Sequence, residues 1–324
     1  MKTCIVIISK NNRRDLNNIL GQLLEIQKKQ SFEIVVVEAT NQEDLDCRAI
    51  NYIKIPVEEA GFGHQRNIGV KNSKGELILF LDDDIVLSEG WYGKLLSSLS
   101  QEKNALAVMG SVFPLKPSLV GFCEGVLGHP GGGFRLHYQS KNKTMTLDQV
   151  ATLNTVFKRS ALEAAGLFDK NLRYGAEDTE LSIRITKKFG KKKFRYAPGA
   201  LVYHKPRNRI GRITPWYIRR GKADADLFLK HSTHLNYLIS SSILLKIIPF
   251  LLLVLIFKIF FLIIAGFLLW YLFQLRRHRF MSSYFKIYNF SRSQQLLTFL
   301  AFPLIKFLAD LMFDLGRLLR FIKH

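Results

Sequence analysis

The sequence predicts an α/β protein: a mostly parallel sheet with helices on both faces, followed by a hydrophobic helical region towards the C-terminal end. Three observations carry this. Short apolar runs rich in β-branched residues alternate with helix-patterned segments through the N-terminal part of the chain, the arrangement that builds βαβ units. Several of those runs are apolar throughout, as strands covered on both faces are. Residues 237–275 are then almost wholly hydrophobic apart from Ser240, Ser241, Ser242, Lys246 and Lys258, a length beyond the roughly 20 residues that one spanning helix needs.

The elements follow in order. Residues 3–9 read as a buried strand and not a signal peptide, because polar and basic residues follow at once without a small-residue cleavage site. A helix is expected over 14–29, strands over 32–38 and 51–55, a helix over 64–72, a strand over 76–82, a helix over 90–100 and a strand over 105–113. Further on, Leu181, Ile183, Ile185 and Phe189 give residues 179–189 an apolar helical face, and Gly190 supplies the C-terminal stop. In such sheets ligands bind beyond the carboxyl ends of the strands, so the chemistry is expected at strand ends.

Composition narrows the classes. The chain has 324 residues, 48% of them hydrophobic, which excludes wholesale disorder and leaves room for one large α/β domain and an appendage. Its 47 basic and 26 acidic side chains give a net charge of +21, which calls for a polyanionic partner, an anionic lipid surface or a phosphorylated ligand. Cys4, Cys47 and Cys123 form no CxxC pair and read as free thiols in a reducing compartment. The charge is uneven: residues 184–222 hold 14 Lys or Arg and no acid.

That basic belt bears on the apolar segment. A single span across 237–275 would place the belt and the cluster Arg276, Arg277 and Arg279 on opposite sides, against the tendency of Lys and Arg to stay cytoplasmic. A short hairpin or re-entrant pair keeps both inside and is the preferred reading, with Pro249 as a kink and Gly266 as a point of close helix approach. In the tail, Leu297, Leu300, Leu304, Leu308, Leu311, Leu315 and Leu319 recur at helical spacing among Lys306, Arg317, Arg320 and Lys323. This reads as an amphipathic membrane-surface helix; packing on the soluble domain or on another subunit is the alternative.

Two motifs carry chemistry. The run Leu77-Ile78-Leu79-Phe80-Leu81 passes directly into Asp82-Asp83-Asp84, a buried strand ending in three mutually repelling carboxylates. Such oxygens are hard ligands, and a shared divalent cation makes the cluster tolerable; an acidic turn before the next helix is the plainer reading. The second motif, Gly175-Ala176-Glu177-Asp178, opens a helix with two acids, where the helix dipole favours the carboxylate form and a proton could be accepted from a hydroxyl. Ordinary dipole complementation explains an isolated pair equally well. The loop His129-Pro130-Gly131-Gly132-Gly133-Phe134-Arg135 has the flexibility to close over a ligand, or is a plain surface loop. Trp91, Trp216 and Tyr217 suit sugar stacking or a membrane interface, with core packing the default for Trp91.

Together and in order, these segments resemble the inverting nucleotide-sugar glycosyltransferases of family 2, with a GT-A catalytic domain. The resemblance covers residues 3–206: Gly61-Phe62-Gly63-His64-Gln65-Arg66-Asn67-Ile68-Gly69, the strand ending in Asp82-Asp83-Asp84, Leu153-Asn154-Thr155-Val156-Phe157-Lys158-Arg159, Gly166-Leu167-Phe168-Asp169, the Glu177-Asp178 element, and His204 after a short strand. It implies a catalytic domain over 1–206, a basic juxtamembrane connector over 207–236, a membrane hairpin or single span over 237–275 and the amphipathic tail over 276–324. Asp82 and Asp84 would hold Mg²⁺ or Mn²⁺ against the donor diphosphate, with His204 as third ligand or phosphate contact and Asp83 beside the ribose or the metal. Asp178 would be the general base that deprotonates the acceptor hydroxyl, with Glu177 as its understudy. Arg66 and Asn67 would position donor or metal, and Arg184 would face the same cleft.

The first strand ends Ile8-Ser9-Lys10-Asn11-Asn12-Arg13, where only Asn12 and Arg13 match the family pattern, and the second ends in Glu38 where an Asp that reads the nucleobase is usual. Glu38 would substitute for it. The implied function is metal-dependent inverting transfer from a nucleotide sugar to a lipid-linked or cell-envelope glycan acceptor. The implied site of action is the cytoplasmic face of the cell membrane, with anionic lipids as partners and no nucleic acid. The alternatives are a membrane protein that binds polyanions and a catalytically silent scaffold on a transferase fold.

Overall fold

The computed structural model describes residues 2–45, 48–231, 239–257 and 261–323; Cys47 and part of the apolar segment lie outside them. The chain divides into two compact units, 1–115 with 128–205, and 116–127 with 206–324.

The first unit is built on strands β1 (Thr3–Lys10), β2 (Glu33–Ala39), β3 (Asn51–Ile55), β4 (Leu77–Asp82), β5 (Ile85–Leu87), β6 (Ala107–Pro114), β7 (Met145–Leu147), β8 (Asn154–Lys158) and β9 (Phe194–His204). They form one sheet in the order β3-β2-β1-β4-β8-β6-β9-β5, with β7 beside β9. The Rossmann-like half, β3-β2-β1-β4, is wholly parallel. Beyond it the sheet is mixed: β8 runs antiparallel to β4 and β6, β5 and β7 run antiparallel to β9, and β6 and β9 are parallel. The mostly parallel expectation thus describes the first half and is coarser than the second.

Helices α1 (Arg13–Gln27), α2 (Phe62–Lys71), α3 (Trp91–Gln101) and α7 (Glu177–Phe189) cover the sheet. Successive residues of β1 point to opposite faces. Ile5 and Ile7 pack with Leu16, Ile19, Leu23, Trp91 and Leu95, whereas Cys4 and Val6 pack with Phe80, Phe157, Leu181 and Ile185. Burying each such side chain contributes roughly 1.5–3 kcal/mol. Trp91 is in the core, its indole N–H donating to Asn154 Oδ1 at 2.8 Å.

The second unit holds α4 (Leu119–Val126) and α8 (Ile210–Lys230). It also holds three apolar helices, α9 (Leu244–Phe257), α10 (Phe261–Arg277) and α11 (Arg292–Phe321), while α5 (Gly133–Ser140) and α6 (Arg159–Ala164) belong to the first unit. Helices α8 and α11 cross at two glycines: a Cβ on Gly221 would lie 1.9 Å from Phe313 O, and one on Gly316 would lie 2.1 Å from Ile218 O. Gly266 of α10 faces the Phe250 ring of α9, 3.1 Å from where its Cβ would be, which is the close approach expected of that glycine. Among the described residues, α11 is the one helix long and apolar enough to cross a membrane.

Candidate active site

The site assembles at the carboxyl ends of β1, β2 and β4. Leu77 to Leu81 are all buried, and the strand ends where the carboxylates begin: Asp82 is its last residue, paired with Ile8, and Asp83 and Asp84 form the turn into β5. Ionised groups cannot follow the apolar run into the core without partners. Asp83 turns back to β1, accepting from Ser9 Oγ at 2.6 Å.

His204 arrives from far along the chain. Between Gly110/Ala197 and Ser111/Leu201 the β6–β9 register slips, and the bulge realigns the end of β9 so that His204 lies opposite both Pro114 and Ile85. Its Nε2 is 3.1 Å from Asp84 Oδ1. One ligand atom from each of Asp82, Asp84 and His204 lies within 4.8 Å of the others. Two carboxylate oxygens and an imidazole nitrogen suit a cation such as Mn²⁺ or Mg²⁺. The Asp82 and Asp84 side chains keep 30% and 25% of their surface exposed, so this cluster is reachable from solvent.

The second pair of acids is delivered by an unusual helix start. Gly175 has φ 114° and Ala176 φ 67°, and a left-handed non-glycine residue costs roughly 1–2 kcal/mol. This turn sets Glu177 and Asp178 as the first residues of α7. Glu177 is buried and ion-paired with Arg66 Nη1, while Arg66 Nη2 reaches Asp82 Oδ1 at 3.5 Å. One guanidinium on α2 therefore links the end of β4 to the start of α7. Asp178 Oδ1 accepts from the N–H of Thr179 at 2.7 Å, and the residue is only partly buried.

The charges perturb one another. Burial pushes the Asp82 carboxyl up, Arg66 opposes, and Asp84 and Asp178 add to the push. Asp83 is raised to about 7, first by burial and then by Asp84 and Asp82, against the hydrogen bonds from Ser9 and Asn12. Burial likewise raises Glu177, with Arg66 pulling it back. A region that holds this many acids against a single buried guanidinium has the electrostatics of a cation site.

The remaining expected residues have the following partners. Asn67 exchanges two hydrogen bonds with the backbone of Phe168, at 2.8 and 2.9 Å, and so fixes the turn beside α2. Arg184 grips Glu180 with two nitrogens and donates to the carbonyls of Ala165 and Leu167. Glu38 closes β2 with no exposed side-chain surface, held by Arg13 at 2.7 Å and by Tyr52 Oη at 2.9 Å. Two contributors had no separate signal in the sequence. Gln65 donates to Ser9 O and Val37 O at 2.8 and 3.0 Å, tying α2 to the ends of β1 and β2, and Ser9 holds Asp83.

Residues 4–117 match glycosyl transferase family 2. Among curated proteins, an uncharacterized glycosyltransferase of Haemophilus influenzae is 27% identical over 104 residues, which are 31% of this chain and 35% of that protein. A glucosyl-dolichyl phosphate glucuronosyltransferase of Haloferax volcanii is 25% identical over 231 residues, 63% of this chain and 69% of that protein. Among solved structures, a mannosyltransferase from Pyrobaculum calidifontis in complex with GDP-mannose and Mn²⁺ superposes with a TM-score of 0.51 at 17% identity, over 70% of this chain and 63% of that one. That likeness is one of fold, GT-A.

Proposed function

We propose that this chain, which carries a glycosyl transferase family 2 domain, moves a sugar from a nucleoside diphosphate to the hydroxyl of a lipid-linked acceptor, with inversion at the anomeric carbon. The observation that carries the reading is the convergence of Asp82, Asp84 and His204 within 4.8 Å, joined through Arg66 to the acids that open α7.

Asp82, Asp84 and His204 would hold Mg²⁺ or Mn²⁺. A cation bound there supplies charge neutralisation for the departing diphosphate. Asp178 takes the role of base, because its second carboxylate oxygen is not engaged by the helix N-terminus and the residue keeps solvent access. Glu177 is less suited to that role: its carboxylate is buried against Arg66, and its work is to hold that guanidinium in place. Asn12 and Asp83 lie together at the end of β1 and are the donor-facing polar groups. Glu38 contributes to donor binding through Arg13, which it orients.

Support for a lipid-linked acceptor comes from the Haloferax relative, whose name specifies a dolichyl phosphate substrate, and from the apolar helices of the second unit. The basic flanks support a location at the cytoplasmic face, whose anionic lipids attract them. The test is a panel of UDP-, GDP- and dTDP-sugars offered to membranes of an expressing strain, with and without Mn²⁺, reading nucleoside diphosphate release. One donor should be consumed only with metal present, and Asp84→Asn should abolish the release. Metal-independent release, or none from any donor, overturns the reading.

A further inference from the structure

The second unit presents apolar residues to solvent on three neighbouring helices: Leu252 and Leu255 on α9, Ile264 and Leu269 on α10, and Leu296 and Leu297 on α11, each more than half exposed. Around them stand the exposed cations Lys246, Arg276, Arg277, Arg279, Lys286 and Arg292. No Asp or Glu occurs between Asp226 and Asp310. Apolar area accompanied by exposed positive charge matches one leaflet of an anionic bilayer.

Helix α11 does not cross that bilayer, whose hydrocarbon core is about 30 Å thick, as it stands. Helix α11 is long enough, but its second half is locked to α8. Arg317 lies 2.7 Å from Asp224 and 2.9 Å from Asp314, Arg320 pairs with Asp226, and the glycine crossing brings the two backbones into contact. To draw that half of α11 into hydrocarbon would bring in the charged helix α8, which also carries Arg219, Arg220, Lys222 and Lys230, at a cost of several kcal/mol per unscreened charge. The apolar part of α11 ahead of Lys306 is only about 21 Å long.

We propose that the second unit is a membrane seat on an anionic bilayer, in which the first half of α11 lies in the interface of one leaflet and α11 does not pass through. This rests on the reading of the chain as acting at a membrane, but it concerns topology and not transfer. In this arrangement both ends of α11 stay on the same side. Lys246, Arg276, Arg277, Arg279, Lys286 and Arg292 meet lipid phosphates while the leucines enter the acyl region.

The test uses the full chain with Cys47→Ser and a reporter cysteine at one end of α11 or the other, Ser293→Cys or Lys323→Cys, in sealed right-side-out and inside-out membrane vesicles. A membrane-impermeant maleimide should modify both reporters in the same vesicle orientation and neither in the other. Labelling from opposite orientations means that α11 crosses, and overturns the proposal. A second arm floats the purified chain with vesicles of phosphatidylcholine alone or with 30% phosphatidylglycerol added. Binding should favour the anionic vesicles, and R276Q/R277Q/R279Q should reduce that binding by about tenfold or more. Equal binding to both vesicles, or recovery as a soluble oligomer that does not float, overturns it as well. Because neither arm measures sugar transfer, an inactive chain that labels from one side still supports the seat.

Discussion

The candidate site of the first unit and the helices of the second handle acidic side chains in opposite ways. In the second, Asp224, Asp226, Asp310 and Asp314 each meet a Lys or Arg within 2.9 Å. In the first, Asp82, Asp83, Asp84 and Asp178 share the neighbourhood of Arg66 and His204, and burial and mutual repulsion raise Asp82 and Asp83. Matched charges fix a packing arrangement. A surplus of one sign costs stability and persists where something of the other sign is bound during function. The lesson is to look for chemistry where the pairing is incomplete.

Neutralising the surplus separates activity from folding most strongly. Asp82→Asn and Asp84→Asn should each lower sugar transfer by about 10²–10³-fold or more, while the melting temperature of the metal-free chain stays level or rises, because repulsion is relieved. Mn²⁺ should raise the melting temperature of the wild type and leave that of Asp84→Asn unchanged. A fall in melting temperature on either substitution would make these acids structural, like those of the second unit.

The acids that open α7 sharpen the same division within a single turn. Asp178→Asn should cost about 10²–10⁴-fold in turnover, with donor binding by calorimetry nearly intact. Glu177→Gln takes from buried Arg66 its nearer anionic partner, leaving Asp82 at 3.5 Å, and should destabilise the first unit by about 3 kcal/mol, seen in chemical denaturation. If Glu177→Gln instead leaves stability unchanged and abolishes turnover, the roles of the two residues are exchanged.

In the second unit, Arg317→Met strands Asp224 and Asp314 and should cost about 3–5 kcal/mol while metal affinity stays unchanged. Smaller still, Gly221→Ala forces α8 and α11 apart against a backbone carbonyl, an overpacking of about 1–3 kcal/mol. A Gly221→Ala chain as stable as the wild type would show that the two helices slide without penalty.

What could be read in advance was what is local. The strand and helix patterns of residues 3–113 gave elements within a residue or two of those observed, because apolar periodicity and burial on the sheet are the same fact. Asp82, Asp83 and Asp84 announced themselves as a strand end, and Glu177 and Asp178 as a helix start. Their meeting was not local: it depends on the bulge in β9 that brings His204 beside Asp84, and on Arg66 reaching two elements at once. The resemblance to a family supplied the convergence that spacing could not. Asn67 and Arg184 sit in the motifs that the resemblance assigns to the cleft, and no spacing shows the partners they take: the backbone N–H and carbonyl of Phe168 for Asn67, the carbonyls of Ala165 and Leu167 and the Glu180 carboxylate for Arg184. The mixed half of the sheet was equally hidden, since a short apolar strand carries no mark of which way its neighbour runs.

Asp314 accepts hydrogen bonds from the N–H groups of Ile243 and Leu244 and from Ser242 Oγ, so the first turn of α9 is closed by a carboxylate some seventy positions later. During synthesis α9 leaves the ribosome well before Asp314 has been added, and for that interval its leading amides have no such acceptor. Assembly of this apolar bundle therefore waits for the last stretch of translation. A nonsense codon placed just ahead of position 314 is expected to turn the greasy helices behind it into substrates for quality-control proteolysis.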